Sequence, residues 1–395
     1  MRVRVRVPTL LVVCALVGSL AVAAPGGAQT GTPGTTGAAG SPVRIGLEGP
    51  LTGSQQAYGQ GMLKGAQLAA DRLNADGGIL GRKIEIIPID DQALPATGVA
   101  NATAAIRAGL DGVIGPYNSG VGAQTLPLYL QAGLVPVRLT SADSTEGLGV
   151  TLQPMTSQIA PVAADAITEW LKAKTVAIVY DSTTLYTQKQ AETMRTELQA
   201  NGARIVAFEP IAPGQQSYAG TVGGIEAIAP DVAYLIAYYP EAGLIAKEMH
   251  RAKLPVQCLS DFGAYDTGYV TTAGRAAARA CPVVGVPAPD EFTGSAPFVA
   301  AYRKKFKEAP GTWSPYTYDS LGVLAAAATK AGSFDATRLR SALTGLDGYR
   351  GWTGRVRLDP TSGNREPATV VVLRADRRGE LRVDRGWQRA VGNIF

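Results

Sequence analysis

Histidine is almost absent: His250 is the only one among 395 residues. A hydrolase of the HExxH type needs two histidines one helical turn apart, and a serine hydrolase of the usual triad needs one beside its nucleophile. The first class is excluded, and the second would depend wholly on His250. That residue lies in the charged helical stretch EMHRAK, which reads as protein surface. The G-x-S-x-G nucleophile elbow and the G-x-x-x-x-G-K-S/T phosphate loop are missing as well. Cysteine is scarce, limited to Cys14, Cys258 and Cys281, and with one histidine beside them no metal site and no cofactor are expected. Excess charge is also missing. The formal charge of +5 includes Arg2, Arg4 and Arg6, and without that leader it falls to +2, which is no nucleic-acid footprint. The basic run from Arg374 to Arg385 is interleaved with acids and reads as a solvated strand edge.

What is present at the N-terminus is an export signal: three arginines, the apolar stretch TLLVVCALVGSLAVAA, then small residues. The apolar run from Leu10 to Ala24 is shorter than the ~20 residues of a membrane span, so cleavage after Ala23 or Ala28 is expected. Cys14 is preceded by Val12 and Val13, where a lipoprotein signal has small residues. Residues 29–42, rich in Gly, Thr, Ser and Pro, read as a flexible tether. The mature chain is therefore expected in the periplasm or outside the cell, where an oxidising environment favours a Cys258–Cys281 disulfide over two free thiols. Apolar residues at 46% and charged ones at 17% are ordinary globular usage, and the length predicts two domains.

Strand and helix patterns alternate along both halves. VRIGLE places Val43, Ile45 and Leu47 at period two, and the following helix carries Met62, Ala66, Ala69 and Leu73 as one stripe before Gly77-Gly78 ends it. KIEIIPI, GVIG and VPVRL continue the series with helices between them, which predicts parallel pairing. After Pro161 the alternation restarts with a helix to about Lys172 and the strands TVAIVYD, ARIVAFEPI, VAYLIAY, VQCLS and VVGV. Three helices from Ala296 to about Leu346 follow, and GRVRLD, ATVVVLR and ELRVD close the chain as strands. The predicted class is α/β, two doubly wound Rossmann-like lobes with a cleft between them; ligands favour the carboxyl ends of such strands and domain junctions.

Two features imitate catalytic motifs. YGQGMLKG, with Gly59, Gly61 and Gly65, has GxGxxxG spacing instead of the dinucleotide fingerprint and lies ten residues beyond its strand. Asp90-Asp91 end a strand, where a turn or capping role outweighs acid–base chemistry. The binding signal lies in GPLTGSQQAYGQG, GPYNSGVG and LTSADSTEG, loops rich in hydroxyls and free amides. Ser119 precedes a helix, so it reads equally as an N-cap or as part of a carboxylate site at the positive helix end.

GPLTG followed by YGQGMLKGAQLAADRLNADGGILGRKIEIIPIDD resembles the opening of the leucine/isoleucine/valine-type solute-binding proteins of ABC importers. VIGPYNSG, GLVPVRLTSAD, IVYDSTTLY, IAYYPEAG, SDFGAYD and WSPYTYDSLGVLAAA continue the resemblance in order over about residues 43–375. It implies a type I periplasmic-binding fold with three crossovers, taken as 43–158 with 287–352 for the first lobe and 159–286 with 353–395 for the second. It further implies a non-enzymatic monomer that closes on a small polar ligand and delivers it to a membrane permease. By matching segment, Tyr58 resembles the tyrosine beside the ligand, Ser119 the carboxylate-binding serine, and Thr140 the position that offers a backbone group. Where the family often has a threonine that meets carboxylate and ammonium, this chain has Ala142, with Ser141 as the available substitute. Tyr186 and Tyr238 match aromatic cleft residues, and Asp261 lies within one position of the ammonium-binding acid. A branched-chain amino acid is the expected ligand, with aromatic acids, short amides and urea, or a sensor role on the same fold, as alternatives.

Overall fold

Parallel pairing with helical crossovers is what the alternation requires, and a computed structural model describing residues 40–391 has it. The expected leader with its cleavage sites, Cys14, and the tether up to residue 39 lie outside the described residues. The first sheet consists of β1 (Val43–Gly49), β2 (Ile84–Asp90), β3 (Gly112–Ile114), β4 (Pro136–Arg138) and β5 (Val150–Thr151) in the order β2-β1-β3-β4-β5, all parallel. Val43, Ile45 and Leu47 are buried as the pattern requires, yet Gly46 and Glu48 on the opposite face are buried too. β1 is central, and helices cover both faces of the sheet.

The second sheet holds β6 (Thr175–Asp181), β7 (Arg204–Ile211), β8 (Val232–Ile236), β9 (Gln257–Ser260) and β10 (Val283–Gly285), all parallel. A separate hairpin, β11 (Tyr349–Gly351) and β12 (Gly354–Val356), precedes β13 (Val371–Ala375) and β14 (Leu381–Val383), which add antiparallel to β10 and give the order β14-β13-β10-β9-β8-β6-β7. Helices Ala296–Phe306 and Ser314–Ala331 return to the first lobe and pack on helix Gln56–Ala75.

Residues 353–366, expected in the second lobe, pair with the first instead. Trp352 N and Thr353 N donate to the buried Asp319 at 2.9 and 2.7 Å, and Asn364 bridges to Thr151 of β5. The third crossing therefore lies between Glu366 and Val371 and not at 352. GRVRLD alternates like a sheet strand, but a carboxylate from the helix Ser314–Ala331 holds its hairpin against the other lobe. The second-lobe helix also begins earlier than its pattern suggested, at Thr156, with Pro161 inside it.

The glycines of YGQGMLKG have a packing reason. A Cβ on Gly59 would meet Pro50 O at 2.2 Å, and one on Gly65 would meet Ser314 O at 2.3 Å, so the helix Gln56–Ala75 approaches its neighbours through bare backbone. Asp90 serves the turn after β2, taking Leu51 N at 2.9 Å and Gln92 N at 3.1 Å. Asp91 is buried, which pushes its carboxyl up to about 7 against the opposing bond from Ala93 N.

Cys258 in β9 and Cys281 just before β10 are bridged, with Cα atoms 4.6 Å apart. The bond closes a separation of 23 residues, so in the chain-entropy model its reduction is expected to cost about 3 kcal/mol. Thermal melts of oxidised and reduced protein check this; identical midpoints would contradict it.

Candidate functional site

In each sheet the strand order reverses beside the first strand, between β1 and β3 and between β6 and β8. The loops leaving these strands diverge there, and the carboxyl ends of the two sheets face one cleft. The first lobe contributes Tyr117 and Ser119 after β3, Leu139 and Ser141 after β4, and Gln153 after β5. The second contributes Tyr186 after β6, Tyr238 after β8, and Phe262 with Gly263 after β9. Together they line a narrow space between the lobes. No charged side chain lines it.

Ser119 is the first residue of the helix Ser119–Gln131, and its N-cap Asn118 makes no side-chain bond to the first turn. The N–H groups of that turn and the positive end of the helix thus face the cleft beside the Ser119 hydroxyl. Ser119 Oγ accepts from Ala142 N at 3.1 Å, which fixes it against the loop after β4 and leaves its own proton for a further acceptor. Ser141 Oγ donates to Pro154 O at 2.9 Å and receives Gln153 Nε2 at 2.8 Å. Gln153 Nε2 also donates to Leu139 O, which fixes the orientation of the amide, and Gln153 Oε1 has no partner.

A cation lies beneath this loop. Arg138 is fully buried, donates to Thr140 O at 3.0 Å and to Asn364 Oδ1 at 2.8 Å, and touches no carboxylate. Burial pushes its guanidinium down to about 10 while the nearby charges of Glu146 and Asp143 oppose the shift, so it stays charged at neutral pH. Thr140 is turned toward this cation: its hydroxyl contacts Thr145 Oγ1 at 2.8 Å and Arg138 Nη1 at 3.3 Å, and it does not line the cavity.

Behind the second-lobe wall lies Asp261, 0% exposed. Its Oδ2 accepts from Tyr186 OH at 2.7 Å and Gly263 N at 3.2 Å; its Oδ1 accepts from Gln190 Nε2 at 2.9 Å and from Tyr234 OH. Burial pushes this carboxyl up while the bonds from Tyr234, Tyr186, Gly263 and Gln190 oppose the shift.

The lobes meet through Tyr58. Its hydroxyl donates to Gly263 O at 2.6 Å and accepts from Tyr239 N at 3.3 Å, while Tyr239 OH donates to Ser54 O at 2.6 Å. Its ring stacks on Tyr117 with centroids 4.7 Å apart, and Trp313 joins Tyr117 to Phe262 at 5.5 and 5.6 Å.

A family profile described as periplasmic binding protein matches residues 42–380. The chain belongs to that family. A Leu/Ile/Val-binding protein homolog 1 of Brucella abortus is 28% identical over 340 residues, 85% of this chain and 91% of the relative. An amino acid binding protein of Pseudomonas aeruginosa is 31% identical over 302 residues, 74% and 80% of the two chains. Among solved structures, the branched-chain amino acid transporter substrate binding protein of Streptococcus pneumoniae, in complex with isoleucine, superposes with a TM-score of 0.79 at 25% identity over 87% of this chain and 99% of that one. A periplasmic binding protein acts outside the cytoplasm and captures its solute without transforming it, so this chain is a binder and not an enzyme. Among the described residues no helix is long and apolar enough to cross a membrane.

Of the residues singled out in the binding protein's sequence, Ser119, Ser141, Tyr186 and Tyr238 line the cavity. Tyr58 joins the lobes beside it, and Thr140 and Asp261 stand behind its walls. Tyr117 and Phe262 were missed although Tyr117 stands two residues before Ser119 in GPYNSGVG and Phe262 directly follows Asp261, and either loop would have supplied the signal. Gln153 had none: it follows a two-residue strand, and only the fold brings it to Ser141. His250 is exposed on its helix, away from this cleft.

Proposed function

We propose that this chain captures a small carboxylate-bearing solute between its lobes, as a monomer outside the cytoplasmic membrane, and delivers it to the permease of an ABC importer. The observation that carries the reading is the Ser119 hydroxyl at an uncapped helix start, above the buried Arg138. One chain supplies both walls of the cleft, so no second copy is needed to complete it. The names of the relatives supply the class: Leu/Ile/Val, or amino acids generally. Transport of an amino acid or a related small acid follows from that likeness.

Ser119→Ala is expected to weaken binding of the co-purified ligand by about 2 kcal/mol, roughly thirtyfold in Kd, because a buried carboxylate would lose a charge-assisted bond. Native mass spectrometry identifies the ligand and calorimetry measures the loss. Unchanged affinity would reduce Ser119 to part of the helix start and remove the carboxylate from this position.

A further inference from the structure

An amino acid brings two charges into a cleft, and the cavity lined by Ser119 and Tyr238 answers only one of them. The anionic end has the Ser119 hydroxyl, the start of the helix Ser119–Gln131 and the charge of Arg138 beneath. An ammonium would need an acid, and no Asp or Glu lines the cavity. Asp261, the acid that the resemblance puts forward, is buried behind Tyr186 with four donors on its two oxygens. An ammonium reaching it would have to displace a tyrosine hydroxyl and enter a site with no exposure. The threonine hydroxyl expected two positions after Thr140 is replaced by the methyl of Ala142.

One polar group in the lining is left over. Gln153 is 1% exposed, its Nε2 is held by Leu139 O and Ser141 Oγ, and its Oε1 has no partner. Turning the amide over would set Oε1 against the Leu139 carbonyl, so the free atom is an acceptor. A buried acceptor without a donor is costly, and a neutral O–H or N–H satisfies it with no charge to desolvate. Tyr117, Tyr186, Tyr238, Phe262 and Leu139 surround the rest with rings and a branched chain, a surface for an apolar body.

We propose that the cleft selects a small apolar carboxylate whose second polar group is a neutral hydrogen-bond donor in place of an ammonium, such as a hydroxy acid, and that Gln153 reads that donor. The proposal rests on the reading that a carboxylate sits at Ser119, and it narrows the solute class within that reading.

Matched probes isolate the one group in question. Leucine, 2-hydroxy-4-methylpentanoate and 4-methylpentanoate share a body, as do phenylalanine, phenyllactate and 3-phenylpropionate. Each is titrated calorimetrically into purified protein stripped of ligand by unfolding and refolding. In at least one series the hydroxy acid should bind tenfold or more tighter than the amino acid. Gln153→Met, close in length, removes the acceptor and also the Nε2 bonds to Leu139 O and Ser141 Oγ, so the readout is the ratio between the two acids. The hydroxy acid should fall to the level of the unsubstituted acid, and a hydroxy-acid preference that survives the substitution would overturn the role of Gln153. An amino acid that binds as tightly as its hydroxy partner overturns the inference while leaving the carboxylate reading intact, and that comparison needs only the wild-type chain. If none of the six acids binds while a recovered neutral ligand does, the carboxylate reading and the inference fall together.

Discussion

Asp261→Ala is expected to lower the free energy of unfolding by about 4 kcal/mol, because it strands four buried donors and opens a cavity among them. Tyr186 OH, Tyr234 OH, Gln190 Nε2 and Gly263 N all converge on this one carboxylate. Each loses an acceptor in a fully buried region, where the loss counts in full. A lower urea midpoint at unchanged slope would report it. Asp261→Asn should be far milder. The Gln190 Oε1 is without a partner, so that side chain can turn to accept from the new amide, and the charge whose burial opposes folding is gone. If Asp261 met a ligand ammonium directly, Asn would weaken cationic ligands selectively. With Tyr186 between them, Asn should instead change all ligands by one modest factor through the position of the Tyr186 ring. A selective loss would place the carboxylate in the cleft and contradict the hydrogen-bond pattern.

Asp261 also shows how far sequence carries. Its place at the end of a strand was legible, because VQCLS reads as a strand and SDFG as the loop leaving it. Whether its carboxylate faces the cleft or the core was not, since that depends on Gln190 and Tyr234, which reach it from another helix and strand. The same division holds elsewhere. Local pattern found the strands of both sheets because period-two and four-to-eight-residue apolar runs are local signals. It could not show on which side the β11–β12 hairpin lies, because the carboxylate of Asp319, more than thirty residues earlier in sequence, holds that hairpin. Loop chemistry singled out Ser119, which stands at its own helix start, and passed over Gln153, which reaches the lining only through its bonds to Leu139 and Ser141 across two strands.

Tyr58→Phe is expected to weaken ligand binding by about 4 kcal/mol, roughly a thousandfold in Kd, while leaving the thermal stability of each lobe nearly unchanged. The hydroxyl touches Gly263 O and Tyr239 N, both in the second lobe, whereas Tyr58 belongs to the helix Gln56–Ala75 of the first. These bonds exist only when the lobes meet. With the lobes apart water satisfies all three groups; with them together and the hydroxyl removed, a carbonyl and an amide are left dry and unpaired, at about 1–3 kcal/mol each. The ring itself still stacks on Tyr117 and packs against Tyr238 and Tyr239, so the aromatic surface near the cleft is preserved. Because the cavity has walls from both lobes, a ligand held by Ser119 alone gains little until Tyr186, Tyr238 and Phe262 arrive from the other side. Closure and affinity are therefore one equilibrium, and a penalty confined to the closed state appears in full as lost affinity. Small-angle scattering gives a second readout: saturating ligand should contract the wild-type particle, and Tyr58→Phe should need far more ligand for the same contraction. Equal affinity in the two proteins would mean that Tyr58 fills space at the junction without holding the lobes together.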